Sequence, residues 1–287
     1  MAIDRGALAE SVLPIAEELG RLAPQLVAES DSPPAGSWID QQLSSGLNLP
    51  SDGGFPIVRE ALVAAMYATL SGVDHAKAWS NLIRSGTATV SLATMTRGAP
   101  EGLAKAYAIL GAPDTRTLIS RHIAITEADL KHPLRHSKFS DRTGKVLDNA
   151  RLRDAHVQIA AKLDLGRLEA PTAQTMVQDL LRPGTHDESG VTPEIYSQLS
   201  GPAHAAMSAL GMYVGSDTGR FILPEQIAED QAAYLFAATC VVSDEWRHNL
   251  GVSKALHRDW MVARREAEAN LVQSNSAASS HRSDEQL

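Results

Sequence analysis

Residues 8–26, LAESVLPIAEELGRLAPQL, place apolar side chains at Leu8, Val12, Ile15, Leu19, Leu22 and Leu26, spaced by four, three, four, three and four positions. This spacing follows the α-helical turn and gathers one apolar face, whereas a half-buried strand would alternate at every second residue. The stretch is therefore a helix with a side to bury. Pro14 and Pro24 each remove a backbone donor, so a bend or break is expected at both.

The same pattern continues along the chain. After the connection SDSPPAGS come a short segment from Trp38 to Leu43 and the loop SSGLNLPSDGGF. Pro56 then opens IVREALVAAMYATLSG, since proline suits a first helical turn. DHAKAWSNLIRSG and TATVSLATMTRGAPEGLAKAYAILG follow in kind, and the only strand-like run is the brief ATVSL. Asp114 begins TRTLISRHIAITEADLKH, which must stop near His132 because Pro133 follows. Beyond a basic loop over 131–145, helices are expected from about Lys145 to Leu165, within PTAQTMVQDLLRPG, after Thr192 and Pro193, from Pro224 to about Asn249, and after Ser253. The expected fold class is all-α, a bundle of roughly eight to ten helices over residues 1–271, with a subdomain break near 133–145 as the alternative. Residues 272–287 are polar and unpatterned, which predicts a disordered tail.

Composition narrows the function. Of 287 residues 44% are hydrophobic and 21% charged, which is ordinary globular usage. A net charge of −8 offers no field for phosphate backbones, so nucleic acid is not the expected partner, and Lys131 to Lys145 reads as a solvated basic loop. One cysteine, Cys240 within AATCVV, allows no internal disulfide and reads as a small core residue. No apolar run approaches the ~20 residues of a membrane span, so a cytoplasmic protein without a membrane partner is expected.

Candidate sites come from spacing. In YSQLSGPAHAAMS, residues 196–208, Tyr196, Ser200 and His204 recur every fourth position and would line one helix face as hydroxyl, hydroxyl and imidazole. Arg97 and Glu101 repeat the interval and would form an ion pair able to anchor a polar ligand. Glu245 and His248 stand three apart, as do Asp129 and His132; with Glu101 these offer the Glu-x-x-His elements from which carboxylate bundles hold two iron or manganese ions. Arg116 and His122 share one helix at a spacing similar to that of the HEPN-type ribonucleases, where an arginine would steady phosphate charge while the histidine moves a proton.

YSQLSGPAHA, together with TMTRGAPEGLAKAYAILGAPDTRTLISR, resembles the uncharacterised all-helical proteins common in actinobacteria and related to the DUF5677 family. That resemblance implies an all-helical fold and matches Arg97 and Glu101 to one pair, and Tyr196, Ser200 and His204 to one triplet, but carries no activity with it. Pro100 and Pro202 fall inside the matching motifs and put regular helical geometry there in question.

The function expected from the sequence is binding of a small molecule or protein, a second copy of this chain included, in a polar pocket between helices lined by Arg97, Glu101, Tyr196, Ser200 and His204, with no cofactor. The alternatives are a dimetal oxidase or oxygenase and a metal-independent ribonuclease.

Overall fold

The computed structural model describes residues 4–51, 55–86, 90–130, 138–140, 146–182, 196, 213, 222–251 and 254–282. Among these residues the chain forms α1 (Arg5–Glu10), α2 (Leu13–Glu29), α3 (Trp38–Leu43), α4 (Ile57–Ser85), α5 (Val90–Leu110), α6 (Thr115–Asp129), β1 (Lys138–Ser140), β2 (Val146–Asp148), α7 (Asn149–Lys162), α8 (Ala173–Leu181), α9 (Glu225–Leu250) and α10 (Lys254–Arg282). The fold is an all-α bundle, as the helical spacing predicts. One short antiparallel hairpin departs from that reading: β1 lies inside the stretch expected as a basic loop and β2 where the helix from about Lys145 was expected, and they pair Phe139 with Leu147. Asp148 closes the hairpin and caps α7, its carboxylate accepting from the Ala150 amide at 3.0 Å.

The two prolines of the opening stretch behave differently from each other. Pro14 lies in the first turn of α2, where it lacks only a donor that has no helical partner, and the break falls just before it at Ser11 and Val12. Pro24 lies within α2, which continues to Glu29 without ending there. The last helix likewise runs on to Arg282, into the segment where the composition predicts a tail.

α4 and α5 form the centre of the bundle. A Cβ built on Gly72 would stand 2.8 Å from the Ala99 carbonyl oxygen, and one on Gly102 would stand 2.8 Å from the Gly72 nitrogen. The two helices thus touch backbone to backbone, antiparallel, with Gly98 against the His75 ring on the same line. α9 locks onto this pair through buried indoles: Trp79 Nε1 donates to Gln231 Oε1 at 2.9 Å, and Trp246 Nε1 donates to Thr69 Oγ1 at 3.0 Å. Both tryptophans are fully buried, each contributing roughly 1.5–3 kcal/mol through its apolar surface with its one donor satisfied. The main core runs from Leu8 to Leu256 and includes Ile159, Leu163 and Met176, so residues on both sides of 133–145 share it. A smaller cluster of Ile15, Cys240, Trp260 and Ala267 joins α2, α9 and α10.

Gly102→Ala tests the close crossing. Alanine favours a helix over glycine by about 1 kcal/mol, yet its methyl group would strike backbone atoms of α4. The expected result is a net loss of roughly 1–3 kcal/mol, read as a lower denaturant midpoint. An unchanged or raised midpoint would show that the helices have room to part.

Candidate metal centre

One cluster among the described residues brings three potential ligand atoms, from Glu60, His122 and His156, within 4.8 Å of one another. Each comes from a different helix. Glu60 stands in the first turn of α4, where the preceding loop folds back over the helix start. Asn48 accepts the Val58 amide at 3.1 Å, the Ile57 amide donates to Leu49 O at 2.8 Å, and Pro50 bridges to Pro56. This arrangement sets the Ser51 hydroxyl on Glu60 Oε2 as a donor.

α6 and α7 supply the histidines. His122 lies on the buried stripe of α6 with Leu118 and Ile125, and His156 on that of α7 with Ile159, so each ring occupies a position where the helical repeat calls for an apolar side chain. The helices are held in register at both ends: Arg116 donates to the carbonyls of Leu163 and Asp164 at the end of α7, and Arg153 Nε donates to Glu127 Oε2 at 2.8 Å. The rings meet edge to face, centroids 5.3 Å apart.

Both imidazoles address the same carboxylate oxygen. His156 Nε2 stands 2.6 Å and His122 Nε2 3.2 Å from Glu60 Oε1. Burial alone would raise the Glu60 pKa, but the hydrogen bonds from His122, His156 and Ser51 together outweigh it and hold the carboxyl far below its ordinary value. Glu60 is therefore ionised and acts only as an acceptor, so both Nε2 atoms carry their protons toward it. Burial depresses the His122 pKa against the pull of Glu60, which keeps that ring neutral. On its far side His122 Nδ1 meets the Thr126 hydroxyl at 3.4 Å. His156 Nδ1 is buried and has no hydrogen-bond partner among the described residues.

His156 also forms part of the wall of a cleft of about 860 Å³ between α6, α7 and the segment after α7, lined by Glu127, Val157, Asp164 and Leu168 among others. Two residues of that segment, Asp164 and Gly166, take left-handed backbone angles of 49° and 68°. A second cleft of about 670 Å³ lies beside α6 and includes Thr126, Glu101, Lys105 and Asp129.

The candidates drawn from spacing are placed as follows. Arg97 Nε donates to Glu101 Oε1 at 2.8 Å, the Tyr196 hydroxyl donates to the same oxygen at 2.6 Å, and the Arg97 guanidinium lies 5.7 Å from the Tyr196 ring centroid. Burial, and then the bond to Glu101, holds the Tyr196 phenol above its ordinary pKa. Ser200 and His204 lie outside the described residues, as do His132 and Pro202. Asp129 is bound by Lys105 at 2.7 Å, and Glu245 accepts from Asn249 at 3.4 Å while burial pushes its carboxyl pKa up. His248 is exposed, in a shallow hollow with Asp244, Arg247, Lys254 and His257. Among the described residues, no group of three metal-ligating side chains includes Glu101, Asp129, Glu245 or His248. Arg116 and His122 are engaged apart, the arginine on the α7 carbonyls and the histidine on Glu60. Burial raises the Cys240 thiol to about 12, in keeping with a core residue.

No protein-family model, curated protein or solved structure matches this chain.

The two shifts at the centre act in the same direction. Below the ordinary histidine value of 6.5 the unfolded chain protonates a residue that stays neutral in the fold, and below 4.5 it protonates a glutamate that stays ionised. Stability contributed by these groups is complete above about pH 6.5 and falls with added acid. In chelator, the melting temperature of wild type should drop between about pH 7 and 5, and His122→Phe should flatten that slope. An unaltered slope would mean that His122 is charged in the fold.

Proposed function

We propose that the protein holds one divalent first-row transition metal between Glu60, His122 and His156, and admits a small polar ligand to the cleft that His156 walls. The observation that carries this reading is the convergence of two buried imidazole nitrogens on one ionised carboxylate oxygen, from three separate helices. Ligands at about 2.0–2.2 Å from a shared ion stand roughly 3–3.5 Å from one another, so the observed separations need only a small outward movement. An ionised Glu60 is already in the form that binds metal, and a neutral His122 binds through Nε2 once the proton there has passed to Nδ1. Two histidines with one carboxylate leave coordination positions open, the donor set of iron(II) oxygen chemistry and of hydrolytic zinc. It differs from the dimetal alternative raised by the sequence in placing a single ion, on other residues.

Elemental analysis of the untagged full chain tests it. Near-stoichiometric iron, manganese or zinc is expected, lost in His156→Ala and strongly reduced in Glu60→Gln, with helical circular dichroism retained. The identity of the metal separates oxygen chemistry from hydrolysis. A folded wild-type protein that takes up none of the three after dialysis would reduce the cluster to a buried hydrogen-bond network.

A second reading, ligand binding beside Arg97, Glu101 and Tyr196, is favoured by their meeting at one carboxylate oxygen and by the place of Glu101 in the second cleft. It requires a compound that raises the melting temperature of wild type and not of Glu101→Gln. A broad compound screen without such a difference argues against it.

A further inference from the structure

A third cleft, of about 520 Å³, lies between α5, α6, α8 and the segment that leads into α8. Its apolar lining includes the buried Ile125 and Met176, with Pro171 beside them, and four charged side chains also line it: Arg121, Glu169, Asp179 and Arg182. Three of these charges are balanced by neighbours. Arg167 meets Glu169 Oε1 at 2.7 Å, and Arg182 meets Asp179 Oδ1 at 2.9 Å. Arg121 has no carboxylate partner among the described residues.

What holds Arg121 is a backbone carbonyl. Its Nη1 donates to Ala108 O at 2.9 Å, in the last turn of α5, where the Ala112 amide has turned to Ile109 O instead. That bond fixes the half-buried guanidinium and uses one of its five donors. Arginine keeps its proton, and a partly buried charge without a counter-charge is unfavourable, so an anion in this cleft would be stabilised. The half-buried Tyr107 lines the same space. Burial, then the charges of Glu245 and Asp179, hold its phenol above the ordinary value, while Arg121 and Arg182 pull it down. The hydroxyl therefore keeps its proton as a donor, within the field of both guanidiniums.

We infer that this cleft binds a small monocarboxylate with an apolar body, its carboxylate seated on the Arg121 guanidinium with the Tyr107 hydroxyl as a further donor. The planar fork of an arginine matches the two oxygens of a carboxylate. A single negative charge answers the single uncompensated arginine, and the Glu169 and Asp179 carboxylates in the lining repel a second one. Ile125, Met176 and Pro171 offer apolar surface to the rest of the molecule. The site shares no residue with Glu60, His122 and His156, and it stands whether or not those hold a metal.

Calorimetric titration of the full chain with benzoate tests this, with benzamide and phenyl phosphate as comparisons. Benzoate should bind saturably, and more tightly than benzamide, which has the same ring and no charge. It should also bind more tightly than phenyl phosphate at about pH 8, where the ester carries two charges. Arg121→Gln should weaken benzoate roughly 10- to 100-fold, and Tyr107→Phe, which leaves the bond to Ala108 in place, roughly 2- to 10-fold. In nitrogen-labelled wild type, benzoate should move the Arg121 Nε–H signal, identified by its loss in Arg121→Lys; this readout needs no altered chain to bind. A merely structural Arg121 would lower the melting temperature in Arg121→Gln and leave benzoate affinity unchanged. That result, a wild type that binds no benzoate, benzamide bound as tightly as benzoate, or an Arg121 signal unmoved by bound benzoate overturns the inference. Phenyl phosphate bound more tightly than benzoate overturns the assignment to a single charge.

Discussion

The contact that organises this molecule is the backbone approach of Gly72 to Gly102. With no side chain between them, α4 and α5 come close enough to act as one double rod, and the other helices are placed against its flanks. α9 reads the position of α4 through two indole hydrogen bonds set far apart along the helix, at Thr69 and at Trp79. The result is a rigid α4 whose N-terminal turn projects toward α6 and α7, carrying Glu60 at its tip.

That tip poses the central electrostatic problem of the fold. A carboxylate with a side chain only 12% exposed must be compensated, and among the described residues no arginine or lysine is paired with it. Three hydrogen-bond donors share the task, each from a separate piece of chain: the folded-back loop, α6 and α7. The carboxylate is therefore satisfied by donors spread over three pieces of chain and not by a single buried ion pair with arginine or lysine.

Helix positions were largely legible in the sequence, because apolar periodicity and proline placement are local signals. The starts after Pro56, Asp114 and Pro224 match the observed caps. The hairpin was not, since three-residue strands carry too little pattern to stand out, one in a basic stretch and one at the start of an expected helix. The pair of Arg97 and Glu101 was legible for the same local reason, and the meeting with Tyr196 brings together residues picked out on separate helices. Glu60 and His156 were missed. Glu60 reads as an ordinary first-turn acid, His156 as one polar residue in a charged helix, and His122 was noticed for a different partner, Arg116. The one available signal was a histidine standing at an apolar stripe position on each of two adjacent helices, and only tertiary packing joins those to residue 60.

The separation in sequence that hid the site also governs when it forms. Glu60 and His156 are 96 residues apart, and both must be held by helices that are already docked. Closing a loop of that length costs entropy that the contact alone must offset, so the cluster depends on the docking of α4, α6 and α7. Bonds absent from the transition state change the rate of unfolding far more than that of folding. If the cluster is absent from the folding transition state, it works as a latch on an assembled bundle, slowing unfolding more than it speeds folding.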